Sequence, residues 1–185
     1  QELLDEERVA AGLPAEALRI TNPLVAEESV LRTSLRPGLL RAIAYNESHR
    51  RPGVALFEIG HVYPPAEGEL PGEYEALTVV LAGADAPAAV AVWRELAAAL
   101  GTGARLDQSK VPAGLHATRS ATLQAGRDPL GAVGEVAPDV LEAFEVTERV
   151  AILELDLDQI LDREPKPTQW KPTSRSPRHA MRKPA

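Results

Sequence analysis

The chain has 185 residues, of which 44% are hydrophobic and 25% are charged, a composition typical of one globular domain. Its 20 lysines and arginines are outnumbered by 27 aspartates and glutamates, which disfavours a uniformly basic nucleic-acid-binding surface. The absence of cysteine excludes a disulfide framework, a thiolate zinc site and a thiol nucleophile. The longest apolar stretch, Ala76 to Trp93, is interrupted by Asp85 and Pro87, so we expect a soluble chain that does not span a membrane.

Charge divides the chain into two segments. Every acidic residue lies within residues 1–164, whereas residues 165–185 hold six basic residues and five prolines. We therefore expect a core module over 1–164 and a proline-rich basic linker or tail over 165–185. A solvated linker is the favoured interpretation of the tail. If the tail does contact RNA phosphates, the candidate residues are Lys166, Lys171 and Arg175.

Apolar periodicity predicts the elements of the first half of the chain. A helix is expected from about Pro37 to His49, because apolar residues recur at helical spacing behind a proline suited to a first turn. Val54 to Tyr63 is rich in β-branched and aromatic residues and predicts a strand. Leu77 to Ala82 predicts a second, largely buried strand. A helix should follow, capped by Asp85 and ended by Gly101.

The second half predicts a hairpin, two short helices and a further strand. The hairpin strands are Ala121 to Ala125 and Gly131 to Val136, a helix runs from Pro138 to about Phe144, and a strand from Val150 to Leu155. Asp156 and Gln159 then resemble a capping pair that begins a terminal helix. Hairpins interspersed with helices, without regular βαβ alternation, predict an α+β fold with an antiparallel sheet flanked by helices.

The usual signatures of catalysis are missing from the sequence. The four histidines (His49, His61, His116, His179) are scattered, the serines Ser29, Ser34 and Ser120 lack a nucleophile-elbow context, and Gly101-Thr-Gly103 fits a helix stop better than a phosphate loop. We therefore predict no catalytic, cofactor-binding or metal-binding residues in this chain.

One acidic cluster leaves an alternative open. Glu154, Asp156 and Asp158 alternate, so on a continuous strand they would share a face, as the ligands of some two-metal hydrolases do. The favoured interpretation is a strand with one wet face, in which Asp156 caps a helix. A metal-dependent hydrolase that uses these three carboxylates remains the alternative function.

Three segments resemble the β subunit of bacterial phenylalanine–tRNA synthetase. They are Asn22 to Tyr63, Arg119 to Val146 and Arg149 to Leu161, and they carry N-P-L, V-L-R-T-S-L-x-P-G-L-L, F-E-I-G-x-V-Y, G-E-V and E-L-D-L-D in the family's order and spacing. The resemblance implies a fold like the catalytic domain of class II aminoacyl-tRNA synthetases. It also implies a role in a cytoplasmic heterotetramer of two α and two β subunits, which charges tRNA with phenylalanine.

The same resemblance implies that this module supports catalysis without performing it. Where the catalytic α subunit has G-R-V-Y-R, this chain has Gly60-His-Val-Tyr-Pro64, so a phosphate-binding arginine is replaced by proline. Val150 to Asp162 contains neither the glycine nor the arginine of the third class II motif and is acidic instead. We therefore expect a nucleotide groove stripped of cations, no amino-acid activation by this chain, and ATP and Mg²⁺ bound elsewhere in the assembled enzyme.

The sequence also departs from the family. His116-Ala-Thr-Arg-Ser-Ala121 replaces H-P-G-R-S-A, which casts doubt on a tight turn before that strand. The chain opens at Gln1, and residues 176–185 do not continue as the family does, so we expect a module cut at both ends. Apolar surface exposed by such truncation leaves self-association open. The apolar strand from Val54 to Tyr63 could lie in the core or face a partner.

Overall fold

The computed structural model describes residues 12–13, 17–18, 30–64 and 72–163. The predicted tail, with Lys166, Lys171 and Arg175, lies outside this part. The described elements in chain order are α1 (Arg36–Ser48), β1 (Ala55–Val62), β2 (Tyr74–Ala82), α2 (Ala86–Leu100), β3 (Arg105–Asp107), β4 (Leu115–Ala125), β5 (Asp128–Val136), α3 (Pro138–Ala143), β6 (Val150–Asp156) and α4 (Leu157–Leu161).

The described strands form one antiparallel sheet of six in the order β1-β2-β6-β5-β4-β3. The predicted α+β class is therefore confirmed. Apolar residues from successive strand positions point to opposite faces, and each face is covered by helices. On the first face, α1 and α3 pack over Val80, Ile152 and Val136. On the second face, α2 places Trp93 over Leu153 and its neighbours.

Strand β1 lies at one edge of this sheet. One of its faces packs against the core, and the other is exposed to solvent. Val62 is fully buried, and Leu56 packs against the core of the first face. Phe57 and Ile59 point to the second face and remain 70% and 51% exposed. The sequence left the choice between core and partner contact open for this strand, and the structure divides the strand between core and exposed surface.

The predicted elements are confirmed; β1 is shorter than the predicted Val54 to Tyr63, and the other four predicted strands are longer than expected. β2 begins at Tyr74 and β4 at Leu115, and the β4–β5 register is irregular between Leu115 and Ser120. The prediction missed the early part of β4 because the polar run after Leu115 lacks alternation. It also missed β3, whose three residues Arg105 to Asp107 are too few to show a period.

Helix α2 begins after Asp85 and ends at Gly101, as predicted, but its first amide has an unexpected hydrogen-bond acceptor. Gly101 takes a left-handed conformation with φ +65°, as expected for the residue after a helix. Asp85 has extended backbone geometry, but its side chain makes no capping hydrogen bond. The first amide of the helix, that of Ala86, instead donates to Oε1 of Glu135 at 3.2 Å. Asp85 is therefore the N-cap residue by position, as predicted, but a carboxylate from strand β5 accepts the hydrogen bond of the first helical amide.

Glu135 is a buried carboxylate that links α2 to two arginines. It is 2% exposed, and its Oε2 accepts from Nε of Arg119 at 2.6 Å and lies 3.6 Å from Nε of Arg149. Burial alone would raise the pKa of Glu135, but the hydrogen bonds from Arg119 and Ala86 and the charges of both arginines lower it below its ordinary value of 4.5. The ionised form is therefore bound more favourably in the folded chain.

We expect Glu135→Gln to lower the free energy of unfolding by about 1–3 kcal/mol at pH 7. Because the folded pKa is depressed, this stabilisation is present above pH 4.5 and is lost as pH falls through the folded value. Urea denaturation at a series of pH values should show the deficit shrinking on acidification. Glu95→Gln, at an exposed position of α2, is the matched control. A loss of stability in Glu135→Gln that does not depend on pH would contradict the role of the ionised carboxylate.

Candidate functional site

A cleft of about 480 Å³ opens on the first face of the sheet, between the segment preceding α1 and strands β2, β6 and β5. Its polar lining residues are Ser34, Arg36, Tyr74, Thr78, Glu154, Asp156 and Gln159. Apolar side chains complete the wall, among them Leu13, Pro64 and Val62. The antiparallel pairing of β2 with β6 sets Thr78 opposite Glu154 and Ala76 opposite Asp156, so these four residues form the floor.

A buried ion pair crosses the cleft. Arg36, the first residue of α1, is 5% exposed, and its Nε donates to Oε1 of Glu154 at 3.1 Å while Nη2 donates to Oε2. A third guanidinium nitrogen, Nη1, donates to the carbonyl of Ala113 at 2.9 Å. Ser34 Oγ accepts from the Arg36 amide at 3.1 Å and donates to Glu154 at 3.4 Å. The guanidinium therefore has carboxylate and carbonyl acceptors on several sides.

This pair corrects one expectation from the sequence. The groove is not stripped of cations, because Arg36 lies inside it. Its charge is neutralised by the bidentate contact with Glu154 from the opposite wall. Sequence reasoning missed the pair because 118 residues separate its members and no spacing connects them.

The position at which the resemblance implies a phosphate-binding arginine is also part of the cleft. Pro64 lines the wall and has no amide hydrogen to donate. Nearby, Arg32 folds back over Gly60, donates from Nε to the His61 carbonyl at 2.8 Å and pairs with Glu58. Both arginines of this region are thus occupied by glutamates of the sheet.

Tyr74 contributes a neutral phenol to the cleft. Burial raises the pKa of Tyr74, and the negative charges of Asp156 and Glu154 raise it further. At neutral pH the hydroxyl therefore keeps its proton and can donate a hydrogen bond.

The acidic cluster does not converge. Glu154 is bound to Arg36, Asp156 caps α4, and Asp158 is exposed and accepts from the Glu75 amide at 3.2 Å. Across the described residues, no group of three or more potential ligands is placed to hold a metal ion. The hypothesis of a metal-dependent hydrolase using these three carboxylates is therefore not favoured, because β6 ends at Asp156 before the third carboxylate can join the row.

Comparison with known families identifies the relationship. Residues 2–157 match the family described as the phenylalanyl tRNA synthetase beta chain CLM domain. The chain belongs to this family.

Curated relatives of this CLM domain are phenylalanine–tRNA ligase β subunits. The chain is 32% identical to that of Dehalococcoides mccartyi over 84% of its length, 34% identical to that of Moorella thermoacetica over 94%, and 36% identical to that of Clostridium acetobutylicum over 78%. These matches cover 21%, 23% and 19% of the respective relatives. The chain thus spans about a fifth of their length.

Solved structures with the fold of this CLM domain are class II synthetases. One pyrrolysyl-tRNA synthetase structure from Desulfitobacterium hafniense aligns with a TM-score of 0.58 at 19% identity, covering 75% of this chain and 51% of that one. A second, from the same organism, aligns with a TM-score of 0.54 at 20% identity, covering 71% and 49%. These alignments confirm the predicted fold. In the described part of the chain, every helix is too short or too polar to cross a bilayer.

The remaining candidate residues do not assemble into a site. Of the histidines and serines in the described part, only Ser34 lines the cleft, whereas Ser120 donates to the His116 carbonyl at 2.7 Å. Gly101 ends α2, as the helix-stop interpretation of Gly101-Thr-Gly103 predicted. Ser29 and His179 lie outside the described residues.

Asp156 holds the start of α4 in this CLM domain, as its spacing from Gln159 predicted. Its Oδ1 accepts from the Gln159 amide at 3.0 Å and its Oδ2 from the Gln159 side chain at 2.7 Å. We expect Asp156→Ala to lower the free energy of unfolding by about 0.5–2 kcal/mol, measured by urea denaturation, because the cap is lost. Asp156→Asn should retain most of the stability, because asparagine is also a good N-cap residue. Equal losses for both variants would contradict the capping role.

Proposed function

We propose that this chain is a non-catalytic module of a phenylalanine–tRNA ligase β subunit, which helps to hold a catalytic α subunit and tRNA in place. The observation that carries the proposal is the Arg36–Glu154 pair in the cleft. A nucleotide phosphate in this cleft would need free guanidinium donors, and those of Arg36 already contact Glu154 and the Ala113 carbonyl.

The charges of the cleft floor also disfavour nucleotide binding. Asp156 adds a negative charge beside Glu154, and Pro64 stands where the resemblance implies an arginine. At an effective dielectric constant near 20, a unit charge about 4 Å from a phosphate oxygen contributes about 4 kcal/mol, here with a repulsive sign. Loss of one preorganised donor typically slows a reaction by about 10²- to 10³-fold. We therefore propose that ATP, Mg²⁺ and phenylalanine react in the α subunit of a heterotetramer of two α and two β subunits in the cytoplasm.

The exposed apolar side chains of β1 support a partner-binding role. Phe57 and Ile59 lie side by side on one face of an edge strand, which is a feature of surfaces that another polypeptide covers. The proposed tail contacts with tRNA, through Lys166, Lys171 and Arg175, remain proposals for residues outside the described part.

Co-purification tests the supporting role. The tagged chain, co-expressed with a phenylalanine–tRNA ligase α subunit from the same source, should retain that subunit, and Phe57→Glu should weaken the retention. Tyr45→Glu is the matched control, since Tyr45 is a comparably exposed aromatic residue on helix α1, which covers the opposite face of the sheet. Failure of the unsubstituted chain to retain the α subunit, or equal weakening by both variants, would contradict the role assigned to this surface.

A further inference from the structure

The cleft contains a hydroxyl, that of Thr78, that the ion pair does not use. Thr78 lies at the centre of the floor, is 2% exposed and lines the cleft, yet its side chain makes no hydrogen bond within the described part of the chain. Buried polar groups are nearly always paired, because an unpaired one loses its interaction with water without compensation. An unpaired hydroxyl facing a cleft is therefore suited to a ligand.

The charge beside Thr78 is negative. Arg36 and Glu154 neutralise each other, which leaves the charge of Asp156. Both oxygens of Asp156 accept hydrogen bonds from Gln159, but these donors are neutral and do not cancel the charge. Because Asp156 stands opposite Ala76 and Glu154 opposite Thr78, the carboxylate and the hydroxyl are diagonal neighbours on one face of the sheet. Diagonal neighbours are about 7–8 Å apart at Cα, so one cationic nitrogen can contact both side chains.

The rest of the lining sets the other properties of the ligand. Leu13, Pro64 and the ring of Tyr74 are partly exposed and offer apolar contact, and the cleft volume of about 480 Å³ lies in the range of small-molecule sites. Among the described lining residues, Arg36 is the only cation, and its donors already contact Glu154 and Ala113. A ligand carboxylate would therefore meet negative charge without a free cationic partner.

We propose that the cleft binds a small primary amine with an apolar body and no carboxylate. Its ammonium group would donate to Asp156 and to the hydroxyl of Thr78, and its apolar body would lie against Leu13, Pro64 and the ring of Tyr74. Such binding is independent of the proposed support of a catalytic subunit, since it involves the cleft and not the exposed face of β1.

Titration of the ¹⁵N-labelled chain with 2-phenylethylamine, followed by NMR, tests the proposal. Saturable shifts should be confined to amides around the cleft. L-Phenylalanine has the same side chain and an added carboxylate, and it should bind at least about 10-fold more weakly because that carboxylate is repelled by Asp156. Absence of saturable binding by the amine, or equal affinity for the two compounds, would overturn the proposal.

Substitutions locate the site. Thr78→Val removes one neutral hydrogen bond and should weaken amine binding by about 2- to 10-fold. Asp156→Asn keeps a good helix cap and removes the charge, so the loss should be about 10- to 100-fold. Asp158→Asn makes the same charge change outside the cleft and should leave the affinity unchanged. Equal affinities for Asp156→Asn and the unsubstituted chain would refute the assignment, and the comparison of amine with amino acid decides the matter even if a variant fails to fold.

Discussion

Glu154→Ala is expected to lower the free energy of unfolding by about 3–5 kcal/mol, because it leaves a buried guanidinium without its carboxylate. Arg36 is held between strand β6 and the Ala113 carbonyl and cannot turn into water without moving the start of α1. A loss of this size is a large fraction of the roughly 5–15 kcal/mol that stabilises most domains. Urea denaturation followed by circular dichroism measures it.

The second arginine–glutamate pair of the same face is the matched control for that variant. Arg32 and Glu58 form an ion pair whose side chains are well exposed, so Glu58→Ala should cost no more than about 1 kcal/mol. Replacing both members of the buried pair, with Arg36→Met and Glu154→Leu together, should recover stability relative to Glu154→Ala alone, because no charge is then left buried. Equal costs for Glu154→Ala and Glu58→Ala would contradict the buried-pair interpretation.

Gly131→Ala is expected to have the other large effect, a loss of about 2–4 kcal/mol in the free energy of unfolding. Gly131 has φ +153°, and a Cβ atom there would lie 2.0 Å from the backbone carbonyl oxygen of Glu154 on the paired strand. Backbone cannot turn aside as a side chain can, so β5 and β6 would have to separate beneath the cleft. Thermal and urea denaturation of the variant measure this loss.

Gly38→Ala is expected to change the free energy of unfolding in the opposite direction. Gly38 lies in the first turns of α1, and a Cβ atom there would meet nothing within 4 Å. Alanine is the better helix former by about 1 kcal/mol, so this variant should be more stable than the unsubstituted chain. Destabilisation by Gly38→Ala, or an unchanged stability for Gly131→Ala, would contradict the packing described for these glycines.

Local patterns in the sequence predicted most of the fold. Helix α2 follows from an apolar stripe that ends at Gly101, and the start of α4 follows from the spacing of Asp156 and Gln159. Both depend on residues within a few positions of one another, which is the range over which periodicity and capping act. Strand β3 was missed because its three residues, two of them exposed, are too few to carry such a pattern.

The contacts that define the cleft depend on residues far apart in the chain. The partners Arg36 and Glu154 are 118 residues apart, and Glu135 caps a helix that begins 49 residues before it. The spacing of these residues in the sequence does not predict their contact, because the strand order of the sheet brings them together. For that reason the sequence correctly indicated an acidic strand at β6 but wrongly predicted a groove without cations.

Pyrophosphate exchange with labelled ATP tests most directly whether this cleft can support amino-acid activation. With phenylalanine, ATP and Mg²⁺, the purified chain should catalyse no phenylalanine-dependent exchange, whereas an intact phenylalanine–tRNA ligase assayed in parallel should do so readily. Exchange by the chain alone that depends on phenylalanine and is abolished by a substitution in the cleft, such as Thr78→Val, would contradict the account of a cleft closed to nucleotide by Arg36 and Glu154.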